Sequence, residues 1–223
     1  MLRWVQGDDE MNTFRKIDMD TWPRAAHCRA FRDSLLPSYC VTVELDITHF
    51  LAQVRAQGWS FTLAMTYAAC HCANDIEAFR YRFLDGDVVL FDRIDAAFTW
   101  LNPETELFKV VNVPLGDTMR AFIPLAARTA QEQKEYFTGP LGNDVFQCSA
   151  MPWVRYTHVS HTESGKKGNA TALFNWGKYF TRHGRTLLPF SIQAHHSFVD
   201  GLHVGRLVEH LQNWLDAFDA EKD

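Results

Sequence analysis

His195-His196-Ser197-Phe198-Val199-Asp200-Gly201 stands between the apolar run Leu187-Leu188-Pro189-Phe190-Ser191-Ile192-Gln193-Ala194 and a stretch from Leu202 to Phe218. The run predicts a buried strand. The stretch predicts a helix, since Val204, Leu207, Val208, Leu211, Trp214, Leu215 and Phe218 recur at helical spacing. Two adjacent imidazoles, a carboxylate four residues past the second and a glycine therefore form a polar cluster at a strand-to-helix junction. Histidine titrates near neutrality, so an imidazole held dry beside a substrate hydroxyl can take its proton at working pH. His196 is assigned that role. A histidine pair at a strand end, taken alone, is more often a hydrogen-bonded structural feature, so the assignment rests on the whole pattern.

Outward from the motif, the C-terminal half reads as strand-rich, with candidates at Val145 to Met151, Val154 to Val159, Thr171 to Tyr179 and Thr186 to Ala194. Between Asp117 and Phe137 the chain is polar and mostly helical. Thr138 to Asn143 breaks it, and Ser164 to Asn169 reads as a solvated loop. Ala96 to Leu101 and Glu106 to Val113 are strand candidates about Asn102-Pro103, and Asp85-Gly86 predicts a hairpin joining Phe79 to Leu84 with Val88 to Asp92. Upstream, Thr62 to Phe79 and Thr48 to Gln57 read as helices and Tyr39 to Asp46 as a half-buried strand. Asp20 or Thr21 can cap a first helix with Pro23 in its first turn and Arg24 inside it. Residues 1 to 12 read as a polar, acidic extension, and 13 to 223 as a single domain without repeat or linker.

The 223 residues suffice for one sizeable core, and 17 Phe and 7 Trp mark its interior as aromatic. A net charge of −5 without a basic stripe offers nucleic acid no footprint. No apolar run reaches membrane-spanning length, and Asp8, Asp9 and Glu10 stand where a signal peptide would be apolar, so a cytosolic protein is expected. Five scattered cysteines make no disulfide framework. Cys70-His71-Cys72 falls in a helix, where neighbours point to different faces, and no second ligand pair follows. No metal is expected.

The pattern H-H-x-x-x-D-G resembles the signature of the chloramphenicol acetyltransferase family, shared in form by the acyltransferase domains of 2-oxoacid dehydrogenase complexes and by peptide-synthetase condensation domains. Trp22-Pro23-Arg24 with His27, Ser149-Ala150-Met151-Pro152-Trp153-Val154 and Gly177-Lys178-Tyr179 carry the likeness from about Phe14 to the C-terminus. The dehydrogenase-complex acyltransferase is disfavoured by the lack of a lipoyl domain and flexible linker in this sequence, and the condensation domain by length. The resemblance implies an α/β, two-layer fold with a mixed sheet covered by helices, and acetyl-CoA as co-substrate with no permanently bound cofactor. It implies O-acetyl transfer to chloramphenicol in a ternary complex, without an acyl-enzyme. Another small hydroxyl or amine acceptor, or a silent binding module, is the alternative.

Residue by residue, the resemblance makes His196 the general base and Ser149 the hydroxyl that stabilises the oxyanion. Asp200 is then architectural, paired with Arg24 and costing roughly 3 to 5 kcal/mol if one buried charge is stranded. The catalytic ring is held by its own backbone carbonyl, and His195 is structural. Trp153, Lys178 and Tyr179 fall where the family contacts coenzyme A, with Ser60 and Thr62 replacing a lysine and a tyrosine. Asn175 replaces a threonine that binds an active-site water, and its amide can also hold water. Phe31, Val159 and His161 face the acceptor and depart from the family, which leaves acceptor choice to pocket shape. A homotrimer with sites between subunits is implied.

Overall fold

A six-strand path with one added strand forms the main sheet, and its two faces differ in chemistry. The computed structural model describes residues 12–137, 143–161 and 168–223. The N-terminal extension, the break at 138–143 and the loop at 164–169 lie wholly or largely outside these residues. In chain order the elements are β1 (Phe14–Lys16), α1 (Ala25–Arg32), β2 (Ser38–Asp46), α2 (Thr48–Ala56), α3 (Phe61–Asn74), a 3₁₀ turn (Glu77–Phe79), β3 (Tyr81–Leu84), β4 (Asp87–Phe91), β5 (Asp95–Leu101) and β6 (Phe108–Val113). Then follow α4 (Met119–Glu132), β7 (Val145–Met151), β8 (Leu173–Gly177), β9 (Phe180–Arg182), β10 (Arg185–His195) and α5 (Gly201–Ala217). The large sheet runs β2-β10-β8-β7-β5-β6, with β9 on β10, and a small sheet runs β1-β4-β3. Strands β5, β7 and β8 are mutually parallel and the other pairs antiparallel, so the sheet is mixed, as expected.

Period-two alternation decides which side chains meet the helices. Val41, Val43 and Leu45 of β2, Leu188, Phe190 and Ile192 of β10, Phe174 and Trp176 of β8, Phe146 and Cys148 of β7 and Phe98 of β5 join the core. Helix α3 is apolar on nearly every side, and it packs against α4, α5, β5 and β7. The residues between these point to the other face. There the register aligns Ser149 with Asn175, Asn175 with Ser191, and Ser191 with Thr42. Thr99 of β5 reaches Ser149 at 3.5 Å and extends this polar row to five strands.

Several element boundaries differ from the sequence reading. The first helix starts at Ala25, because Asp18 turns the chain by accepting from the Asp20 N–H and the Thr21 hydroxyl, each at 3.0 Å. Arg24 is the cap residue just outside it. Helix α3 stops at Asn74, whose amide donates to the carbonyls of Cys70 and Ile94 and accepts from the Ile94 N–H, leaving only a 3₁₀ turn before β3. Val154 to Val159 forms no strand: among the described residues it enters no ladder and meets the end of β8 through the Lys178 N–H to Val154 carbonyl bond and the Tyr156 side chain. The Asp85-Gly86 hairpin forms with both residues at positive φ, and a second such turn at His183-Gly184 joins β9 to β10.

Phe174 is fully buried, its ring 5.4 Å from that of Phe146 and 6.0 Å from that of Phe190. Phe174→Ala should cost about 3–5 kcal/mol, read as a lowered denaturant midpoint with little change in slope. An unchanged midpoint would show that the ring does not anchor the core.

Candidate active site

The end of β10 is tied into a tight loop from several sides. The His196 N–H donates to the Pro37 carbonyl at 2.9 Å, and the Phe198 and Val199 N–H groups both donate to the His195 carbonyl. The Ser197 hydroxyl, fully buried, donates to the Cys28 carbonyl on α1 at 3.0 Å. His195 is buried against Phe83 and Phe198, and its Nδ1 accepts from the Ser197 N–H. Burial, with His196 beside it, pushes His195 down to about 4, so it is a neutral acceptor at working pH.

Arg24 closes the loop. Its Nη1 and Nη2 meet the two oxygens of Asp200 at 2.6 and 2.7 Å, its Nε donates to the Ser197 carbonyl at 2.8 Å, and Nη2 also reaches the His196 carbonyl at 3.2 Å. That last contact differs from the implied one. The His196 carbonyl accepts from Arg24, while His196 Nδ1 has no hydrogen-bond partner. Asp200 Oδ1 lies 3.2 Å from Nδ1, yet off the line of the ring N–H. The ring is held by packing instead, stacked on Phe31 at 4.0 Å and 7° with Tyr39 tilted against it at 5.0 Å. His203, unremarked in the sequence, accepts the Asp200 N–H on Nδ1 at 2.9 Å and so fixes the start of α5.

The arginine side chain is 16% exposed and the carboxylate 33%, so the pair is only half-buried and its worth is below the 3–5 kcal/mol of a fully buried pair. The Arg24 hydrogen bonds, outweighing partial burial, hold the Asp200 carboxyl below its usual range.

Ser149 and Asn175 lie elsewhere, on the polar face. Thr99 donates to the Ser149 hydroxyl at 3.5 Å, while Asn175 is 1% exposed with neither amide atom bonded. Ser149 is two strands from β10, level with Ser191, and His196 is five residues further along. Strand spacings put their α-carbons about 19 Å apart. One chain does not bring them to one reacting carbonyl. Cavities of about 640 Å³, between β2 and α5, and about 630 Å³, behind Arg24 and His203, contain neither residue.

Relatives of nearly the same length match most of the chain. The family model for chloramphenicol acetyltransferase matches residues 11–212. The chain belongs to the chloramphenicol acetyltransferase family. A chloramphenicol acetyltransferase of Streptomyces acrimycini is 34% identical over 215 residues, covering 93% of this chain and 97% of that one. One of Klebsiella sp is 29% identical over 216 residues, covering 96% and 99%. A solved chloramphenicol acetyltransferase superposes with a TM-score of 0.82 at 28% identity, covering 91% of this chain and all of that one. The Azotobacter vinelandii dihydrolipoamide acetyltransferase shares the fold, at a TM-score of 0.62 and 17% identity.

Of the residues the family resemblance assigns to coenzyme A, Lys178 and Trp153 are exposed, Trp153 at 66%. Tyr179 accepts from Arg55 at 3.1 Å and packs edge-on to Phe61. Arg55 escaped the sequence reading because a surface arginine on a helix carries no distinguishing spacing. Ser60 caps α3 and Thr62 follows in its first turn. Val159 and His161 are half-buried. His161 Nε2 is buried without a partner among the described residues, and burial lowers its pKa.

Arg24→Gln and Asp200→Asn should each lower stability by about 1–3 kcal/mol, with the double substitution far from additive. Because the folded-state pKa of Asp200 is depressed, its share of stability is present above the unfolded value near 4 and is lost as pH falls through the folded value. Asp200→Asn should flatten that acid limb in denaturation followed from pH 6 to 2, and strictly additive effects would show that the pair is not coupled.

Proposed function

We propose that this chain acetylates a hydroxyl of chloramphenicol from acetyl-CoA, in the cytoplasm, as a homotrimer with each site shared by two subunits. The observation that carries the reading is the His196 loop, clamped by Arg24 and Asp200, in a chain whose near full-length relatives are chloramphenicol acetyltransferases. Asp200, held by Arg24, shapes the loop that aims the imidazole, and His196 Nε2 is taken as the base. Nε2 takes the acceptor proton as that oxygen attacks the thioester carbonyl. The tetrahedral oxyanion receives the hydroxyl of Ser149 from a neighbouring subunit. Collapse breaks the carbon–sulfur bond, and the departing thiolate takes the proton from the imidazolium. Both substrates are held together, so no covalent enzyme intermediate is needed.

Support for a shared site comes from the separation of Ser149 and His196 within one chain. Further support lies in β2, whose outer edge is open among the described residues. Lys178, Tyr179 and Trp153 are assigned to coenzyme A, Phe31, Val159 and His161 to the acceptor, and His195 to loop structure. Asn175 is assigned to the acceptor side, where its free amide can hold a water or a substrate group.

With acetyl-CoA present, free thiol should be released only when chloramphenicol is added. Release of equal rate without it, or none with it, would refute the acceptor. His196→Ala should lower kcat roughly 10²- to 10⁴-fold while both KM values stay near those of the parent protein.

A further inference from the structure

We propose that Tyr156 is a positioning residue for the acceptor. Its hydroxyl pins the strap of residues 152–161 to the polar face of the large sheet and sets where Val159 and His161 stand. The inference rests on the assignment of that face to the acceptor. Tyr156 donates to the Asn175 carbonyl at 3.0 Å and accepts from the Ser191 hydroxyl at 3.2 Å. Ser191, its proton so committed, takes one from Thr42 at 2.8 Å. The hydrogen bonds thus run one way, from Thr42 through Ser191 and Tyr156 to the β8 backbone, and each strengthens the next. Burial lifts the Tyr156 hydroxyl to about 12, so it remains a donor throughout the working range.

A bare α-carbon makes the close approach feasible. A Cβ on Gly177 would stand 2.7 Å from the Val154 carbonyl oxygen and 2.9 Å from two carbons of the Tyr156 ring. Upstream the strap has separate ties, the Lys178 N–H to the Val154 carbonyl at 2.8 Å and the Arg155 guanidinium 3.5 Å over the Phe180 ring. Loss of the hydroxyl therefore leaves Trp153 in place and loosens the part that follows, which carries Val159 and His161. The strap lies over Asn175, whose amide is buried and unbonded, and His161 ends the described part of it with its own unbonded Nε2. The acceptor side, and not the coenzyme side, should register the change.

Tyr156→Phe removes one oxygen. It should raise KM for chloramphenicol about tenfold, leave kcat and KM for acetyl-CoA within about twofold, and speed amide exchange across 152–161 with little change in Tm. Gly177→Ala should act in the same direction, and the double variant should fall short of the sum of the two. Unchanged KM and exchange in Tyr156→Phe would overturn the proposal. So would a joint fall in kcat and Tm with KM for chloramphenicol unmoved, the mark of a merely structural role. Absence of chloramphenicol turnover in the parent protein would instead sink the acceptor, and the exchange measurement would still decide whether the hydroxyl pins the strap.

Discussion

One guanidinium organises the loop that carries His196. Arg24 spends four hydrogen bonds on three successive parts of it, the His196 carbonyl, the Ser197 carbonyl and the Asp200 carboxylate. A lysine, with a single charged nitrogen, could not reproduce that fork. The loop turns from β10 into α5 within a few residues, and its carbonyls point away from any regular ladder. Without Arg24 those carbonyls and the carboxylate would face one another unpaired. The small sheet supports the same loop from beneath, where Phe83 lies 4.7 Å from Phe198 and Tyr81 5.7 Å from it.

The second constraint is the division of the large sheet into an apolar and a polar face. Alternation sends Phe174, Phe190 and Phe146 to the helices and, by the same rule, sends Asn175, Ser191 and Ser149 to the far side. A row of hydroxyls and an amide across five strands is costly unless it is used. Some of its members bond one another, as Thr42, Ser191 and Tyr156 do, while Asn175 leaves both amide atoms free. The loop with the imidazole and the row with the serine lie on different parts of one chain. On the proposed reading, their separation means that each chain contributes halves of two different sites.

Much of the fold was legible because period and turn chemistry agree. The α5 pattern, the β10 run and the Asp85-Gly86 hairpin are each written in neighbouring residues, and the structure keeps them within a few positions. Boundaries set by side chains distant in sequence were not legible. The stop of α3 depends on Asn74 meeting Ile94, and the late start of α1 on an Asp18 turn that competes with the expected caps. Val154 to Val159 has strand composition, yet among the described residues it meets the end of β8 through one backbone bond at Val154 and the Tyr156 side chain instead of a ladder. In the site, the motif pointed to His196 and Asp200 and the family resemblance to Arg24, whereas the clasp of Phe31 and Tyr39 on the imidazole and the His203 bond to Asp200 follow only from packing. The expected bond from the ring to its own carbonyl is not made, and that carbonyl accepts from Arg24, a contact no spacing announces.

The most direct measurement of the shared site mixes two inactive variants, His196→Ala and Ser149→Ala, under conditions that exchange subunits. Neither variant has a complete set at any interface, but a mixed ring pairs an intact His196 with an intact Ser149 wherever the neighbours are arranged in that order. Activity should rise well above that of either variant alone, in a species that sediments as three chains. Proven exchange without recovery, or full activity in a monomer, would contradict the account.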